Sequence, residues 1–140
     1  MSTDCIFCKI VKGELPCTRI YEDEDTLAFL DIGPIVKGHC LVIPKRHHDP
    51  ITSMPASELQ ALIVAVQKVA RAIEDGLQSD GLNITQANGS VAGQVVPHVH
   101  FHVIPRFTWD GHSWNWNAQS YDNTDEMAEC ARQICDAFKD

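Results

Sequence analysis

The period of apolar and polar positions changes several times along the chain, and each change marks an element. Residues 27–30 (LAFL) and 39–43 (HCLVI) are short apolar runs bounded by turn residues, and they read as strands. The Gly33-Pro34 and Lys37-Gly38 steps between them mark a turn or loop. From Pro55 to about Leu77 the period becomes helical. Leu59, Leu62, Ile63, Val66, Ala70, Ile73 and Leu77 recur at three- and four-residue steps and line one face. Pro55 suits the first turn of that helix, and Gly76 or Gly81 lies near its end. Residues 82–87 (LNITQA) alternate as a strand does, and 88–94 (NGSVAGQ) form a glycine-containing loop. Residues 95–105 (VVPHVHFHVIP) alternate again.

Beyond Arg106 the chain is rich in Trp, Asn and Gly and predicts an ordered but irregular segment. A last helix is expected from about residue 124 to 138, capped by Asn123 or Thr124. Asp125 and Glu126 fall in its first turn, and Met127, Ala131, Ile134 and Phe138 would face inward. Strands, helix, strands, helix is the order of an α+β domain: an antiparallel sheet with one long central helix and a C-terminal helix. With no repeat and no linker, residues 1–140 are expected to form one domain.

Composition narrows the function. The chain has 140 residues, 44% apolar and 21% charged, which suits a folded globular protein. The longest apolar run, residues 61–66, is too short to span a membrane, and MSTDCIFCKI lacks the pattern of an export signal. A cytoplasmic location is the expectation. The net charge of −8 excludes the basic surface that nucleic-acid binding needs. Any small anion must therefore be held by local donors such as backbone N–H groups and neutral amides. Of six cysteines, Cys17, Cys40, Cys130 and Cys135 stand among apolar neighbours and read as buried thiols. Cys5 and Cys8 have the two-residue spacing of a metal knuckle. A redox pair has the same spacing, but the strand-to-helix context expected for it is absent.

The strongest chemical signal is His98, His100 and His102. On a strand they share one face, opposite the core stripe Val99, Phe101 and Val103. Three imidazoles in a row on the face left free by the apolar residues suit a nucleophile, a proton carrier or a metal ligand near neutral pH. The loop before them adds Gly89 and Gly93 for close backbone approach and Asn88, Ser90 and Gln94 as uncharged donors.

PHVHFHVIPR resembles the alternating motif of the histidine triad (HIT) family, and NGSVAGQVV resembles that family's Asn-Gly…Ala-Gly-Gln approach. HCLVIPKRH is similar to its Gly-His-x-Leu-Val-Ile-Pro-Lys strand. CIFCKIVKGELP is similar to the opening of its zinc-bearing bacterial members. The pieces run in family order over about residues 5–106, leaving 107–140 as a C-terminal extension.

The resemblance implies hydrolysis at the α-phosphate of nucleoside phosphoramidates or related nucleotidyl compounds. His100 would be the nucleophile of a covalent nucleotidyl intermediate, and His102 the partner of the phosphate or leaving group. Family uridylyltransferases have Gln at the third position, so His102 favours hydrolysis. It also implies a structural zinc held by Cys5, Cys8, His98 and His47, with His48 as the alternative to His47. Asp31 would take the ribose hydroxyls, and Phe7, Ile10, Phe29 and Ile32 the base. A homodimer with its sheets joined is a further implication, the helix from Pro55 lying at the interface. Val95 stands where several family hydrolases carry Ser or Thr. Two other functions stay open: a dinucleoside polyphosphate hydrolase, and a nucleotide-binding regulatory module with little turnover.

Overall fold

The structure is a computed structural model that describes residues 4–114 and 116–139. The expected domain over 1–140 includes residues 1–3, 115 and 140, which lie outside the described residues. Among the described residues no helix is long and apolar enough to cross a membrane.

Five antiparallel strands form one sheet: β1 (Arg19–Glu22), β2 (Thr26–Leu30), β3 (Cys40–Pro44), β4 (Gly81–Gln86) and β5 (Phe101–Arg106). Their order is β1-β2-β3-β5-β4, so β5 lies inside the sheet and β4 at its edge. Three helices complete the fold: α1 (Ile6–Val11), α2 (Ala56–Leu77) and α3 (Thr124–Asp136).

Strand alternation sorts side chains to two faces. Ala28, Cys40, Val42 and Val103 turn to one side and pack with Leu62, Ala65, Val66, Val69, Ala70 and Ile73 of α2. The Val99, Phe101, Val103 stripe joins this core, with Phe101 only partly buried. The other face carries Leu27, Phe29, Leu41 and Ile43, which pack with Cys5, Phe7 and Cys8 of the α1 region. His102 pairs with Leu41 in register, so it falls on the α1 side. Sheet and α1 together wall the site.

Several expectations change. Residues 95–100 are not strand, and β5 begins only at Phe101. Pro97 has no N–H to give a ladder. The N–H of His98 turns back to Val96 O (2.9 Å), and that of Val99 goes to His48 O (2.8 Å). His98 and His100 are therefore not on an exposed strand face, and both are buried. The end of α2 needs no glycine: Gln78 itself adopts the left-handed conformation (φ 53°), and Gly76 stays within the helix. On α2, Ile63 and Leu77 are exposed where they were expected in the core.

Asn123 caps α3 by accepting the Glu126 N–H (2.8 Å), but no residue of α3 is buried. Met127, Ile134 and Phe138, expected to face inward, are 50%, 63% and 78% exposed. An amphipathic pattern fixes a face but does not supply what packs on it. Of the four cysteines read as buried thiols, only Cys40 is buried. Cys17 and Cys130 are half-buried and Cys135 is exposed.

Candidate functional site

Helix α1 is one short segment with two faces of use. Its N-cap is Cys5, whose Sγ accepts the Cys8 N–H at 3.4 Å. One helical turn thus places both sulfurs together. The residues after β3 bring in His47, and the irregular segment before β5 brings in His98. Cys5 Sγ lies 3.4 Å from His98 Nδ1, Cys8 Sγ lies 3.3 Å from His47 Nδ1 and 3.7 Å from His98 Nδ1, and the two Nδ1 atoms are 3.1 Å apart.

Bonds of about 2.3 Å to sulfur and about 2.05 Å to nitrogen give a zinc tetrahedron edges of roughly 3.3–3.8 Å. Four of the six edges among these atoms, at 3.1–3.7 Å, are near the spacing of such a tetrahedron. Tautomer chemistry agrees. His98 Nε2–H donates to Pro44 O (2.9 Å), so Nδ1 turns a lone pair toward the sulfurs, as a ligating imidazole does. Burial pushes His98 down to about 4. Burial, with the neighbouring Cys5 thiol, pushes Cys8 up to about 11. A cation at this centre would displace that thiol proton. His48 is elsewhere: its Nε2 meets Glu58 Oε1 at 3.0 Å.

The other face of α1 borders a cleft of about 470 Å³. Phe7, Ile10, Phe29, Asp31 and Ile32 all line it, together with His100 and His102. Ile6, Leu15, Pro16, Cys17 and Leu41 line it as well. These five escaped the sequence reading as lining residues because their shared wall exists only once α1 folds over the sheet. Asp31 accepts the Gly33 N–H through Oδ1 (2.8 Å) and brings Oδ2 to 3.7 Å from His39 Nε2.

The tautomers of the reactive histidines follow from their partners. His100 Nδ1–H donates to the His98 carbonyl at 2.7 Å, leaving Nε2 with a free lone pair. His39 reaches across the sheet. The Ile35 N–H donates to His39 Nδ1 (3.1 Å), so the ring proton sits on Nε2 and is donated to His102 Nδ1 (2.8 Å). His102 must then carry its own proton on Nε2. Burial first, then repulsion from His100 and His39, pushes His102 down to about 4, and burial also lowers His39. His102 is thus a neutral donor at pH 7. Asp31, His39 and His102 lie close enough to share a cation, but their hydrogen bonds already account for the cluster.

The loop residues are used differently from expectation. Gly89 and Gly93 adopt φ +89° and +99°, which only glycine takes readily, and Gly93 lines the cleft. Gln94 is spent on the loop: it accepts the Gly89 N–H (2.7 Å) and donates to Asp49 Oδ1 (2.8 Å) and Val96 O (3.1 Å). Asn88 accepts the Ile51 N–H (2.9 Å) and donates to Gln86 Oε1. Ser90 is exposed in a single turn of 3-10 helix. Asn88, Ser90 and Gln94 do not line the cleft, whereas Val95 and Val96 do.

The HIT domain model matches residues 12–109. An adenosine 5′-monophosphoramidase of Schizosaccharomyces pombe is 46% identical over 102 residues, 73% of this chain and 74% of that protein. A crystal structure of a HIT family member from Bacillus subtilis superposes with a TM-score of 0.92 at 40% identity, over 98% of this chain and 99% of that one. A zinc-bound histidine triad family protein from Mycobacterium smegmatis superposes with a TM-score of 0.76 at 38% identity, over 99% of this chain and all of that one. The antiparallel five-stranded sheet with three helices is the fold of these proteins, and the chain belongs to the HIT family.

Proposed function

We propose that the protein hydrolyses nucleoside phosphoramidates or related nucleotidyl compounds at the α-phosphate, through a nucleotidyl group held on His100. The observation that carries this reading is the pair of opposed tautomers in one cleft. His100 offers an Nε2 lone pair, and His102 offers an Nε2–H. A nucleophile and a donor for phosphate oxygen thus stand side by side, with ring centroids 5.0 Å apart. The S. pombe relative named as a monophosphoramidase supports the substrate class.

In the first step the Nε2 pair of His100 forms a bond to phosphorus. The P–N bond to the amine breaks, and the amine leaves with the P–N bonding pair and takes a proton from solvent. Water then attacks phosphorus and gives a proton back to solvent, and the bond to His100 breaks with its pair returning to the ring. Nucleoside monophosphate is released. The His98 carbonyl keeps a proton on Nδ1 and so steadies the imidazolium-like intermediate. His102 holds a phosphate oxygen through Nε2–H, an electrostatic role that needs no proton transfer. Asp31 accepts the ribose hydroxyls, and the apolar wall of α1 and β2 takes the base. The loop serves as a scaffold: Gln94 and Asn88 hold its shape, and Gly93 and Val95 border the cleft.

Cys5, Cys8, His47 and His98 would hold zinc, which ties α1 to the strands and leaves no open coordination position. An open cleft lined by Asp4, Cys5, His47 and Asp49 gives the centre access to solvent. The protein is one HIT domain that pairs into a homodimer through the open edge of β4. Sedimentation equilibrium should give twice the 15.6 kDa chain mass, and a monomer at micromolar concentration refutes the pairing.

The testing experiment follows nucleoside monophosphate release from adenosine 5′-phosphoramidate and from diadenosine tetraphosphate. The phosphoramidate should be the better substrate, and His100→Ala should lower its turnover by more than about 10³-fold. Turnover that survives this change overturns the reading. Preference for the tetraphosphate favours the polyphosphate hydrolase instead.

A further inference from the structure

Helix α1 has six residues, too few to persist alone in water, so its position depends on what pins it. Besides its packing on the sheet, two further sets of contacts do so, from opposite sides. Cys5 and Cys8 meet His47 and His98 on one side, while Ile6, Phe7 and Ile10 wall the nucleotide cleft on the other. The residue between the sulfurs joins the two sites directly. Phe7, buried, presents ring-edge contacts to His98 at 5.7 Å and to His100 at 5.1 Å.

A second connection runs through the main chain. The acceptor that orients His100 is the carbonyl of His98. That residue lies in the stretch that forms no strand, where two backbone bonds hold the chain, His98 N–H to Val96 O and Val99 N–H to His48 O. The His98 ring supplies further anchorage, through Nε2–H to Pro44 O and through Nδ1 to the centre. Whatever fixes Nδ1 also restrains the carbonyl of the same residue, separated from it by Cγ, Cβ and Cα, and with it the line of the His100 lone pair. Displacement of a nucleophile by about 1 Å costs rate heavily, so this anchorage matters for the reaction.

We infer that the Cys5, Cys8, His47, His98 centre is a positioning device for the nucleotide site, so that zinc in the centre and nucleotide in the cleft each tighten the other's binding. The inference rests on the zinc and nucleotide readings above and adds a coupling that neither requires. Phe7 and His98 are positioning residues in it. Because the coupling is a free energy shared by two equilibria, it must have the same size whichever ligand is varied.

The test uses zinc-loaded protein and a chromophoric chelator. Zinc affinity and release rate are measured with and without saturating adenosine 5′-monophosphate, a product that needs no turnover. The nucleotide should raise zinc affinity by at least about fivefold, within the range of ordinary coupling energies. In Phe7→Leu, the same saturating nucleotide should raise zinc affinity measurably less than in the wild type, since the ring contacts to His98 and His100 are lost while the His98 main-chain link remains. The full effect kept in Phe7→Leu overturns the role of Phe7 as a positioning residue. A centre that only held the fold together would leave wild-type zinc affinity unchanged by nucleotide, and that result overturns the inference. A protein that binds nucleotide but no zinc overturns the metal centre and this coupling while leaving the nucleotide reading intact. One that binds zinc but no nucleotide overturns the nucleotide reading and the coupling together.

Discussion

Replacing His39 by alanine tests the tautomer relay at its origin. His39 is 2% exposed and makes two bonds, accepting the Ile35 N–H and donating to His102 Nδ1. Its loss removes the group that obliges His102 to keep its proton on Nε2. The ring can then move that proton to Nδ1 and turn a lone pair toward the phosphate. A hydrogen bond to a charged group contributes about 1.5–3 kcal/mol. Lost in the transition state, it lowers kcat/KM roughly 10- to 150-fold. Stability also falls, because an acceptor and a donor are orphaned beside a new cavity, by about 2–4 kcal/mol. The two effects are separable. In His39→Gln the side-chain amide can donate from near the position of the imidazole Nε2, so it should recover most of the activity while repairing little of the packing. The assay is release of adenosine monophosphate from its phosphoramidate, with thermal melts of all three proteins. His39→Ala within threefold of wild type refutes the relay, as does His39→Gln no better than His39→Ala.

The remaining predictions concern protonation, metal and core. His102 is held at about 4 when folded and rises to the ordinary histidine value near 6.5 when unfolded, so between these pH values the unfolded chain binds the extra proton. Stability should therefore fall as pH drops from about 6.5 toward 4, by up to about 1.4 kcal/mol per pH unit from this group. Urea unfolding of His102→Gln should show a slope shallower by about one proton, and an unchanged slope contradicts it. Metal analysis should find one zinc per chain, and Cys5→Ser with Cys8→Ser should abolish it and lower Tm by about 10 °C or more. Full zinc content in that double variant removes the cysteines from the ligand set. Leu62, fully buried between α2 and the sheet, should cost about 3 kcal/mol when changed to alanine. A loss below about 1 kcal/mol by urea unfolding would place that core elsewhere.

The long-range parts of the site were the least legible in the sequence. Helix α2 announced itself by its helical period, β2 and β3 as short apolar runs that prove buried on both faces, and β4 by the alternation of its residue types. Strand β1 did not. It is four residues long at the sheet edge, with Arg19 and Glu22 paired to each other and most of its residues exposed. Helix α1 was read only as a pair of cysteines, since six residues are too few to display amphipathicity. The strict alternation from His98 to Val103 suggested a strand throughout, yet its first half is held by His48 and by the metal-type centre.

The candidate ligands Cys5, Cys8, His47 and His98 could be chosen by resemblance, and the structure brings those four side chains together. The choice between His47 and His48 lies in which ring turns inward, a matter of backbone direction that two adjacent histidines cannot reveal. The role of His39 was invisible, because its partner is 63 residues away. Gln94 and Asn88 looked like phosphate donors because their amides are suited to that work. Loop closure uses those amides first. The cysteine–histidine cluster and the histidine-lined cleft share α1 and the His98 peptide.

The central claim is that His100 carries the nucleotidyl group between the two displacements. Its most direct test is mass spectrometry of protein mixed with adenosine 5′-phosphoramidate and quenched in alkali within the first turnover, since a phosphorus–imidazole bond is labile to acid. One adenylyl group should appear on the peptide containing His100 in the wild type and be absent from His100→Asn. An adenylyl group mapped to another residue, or turnover with no adduct at any time, contradicts the account.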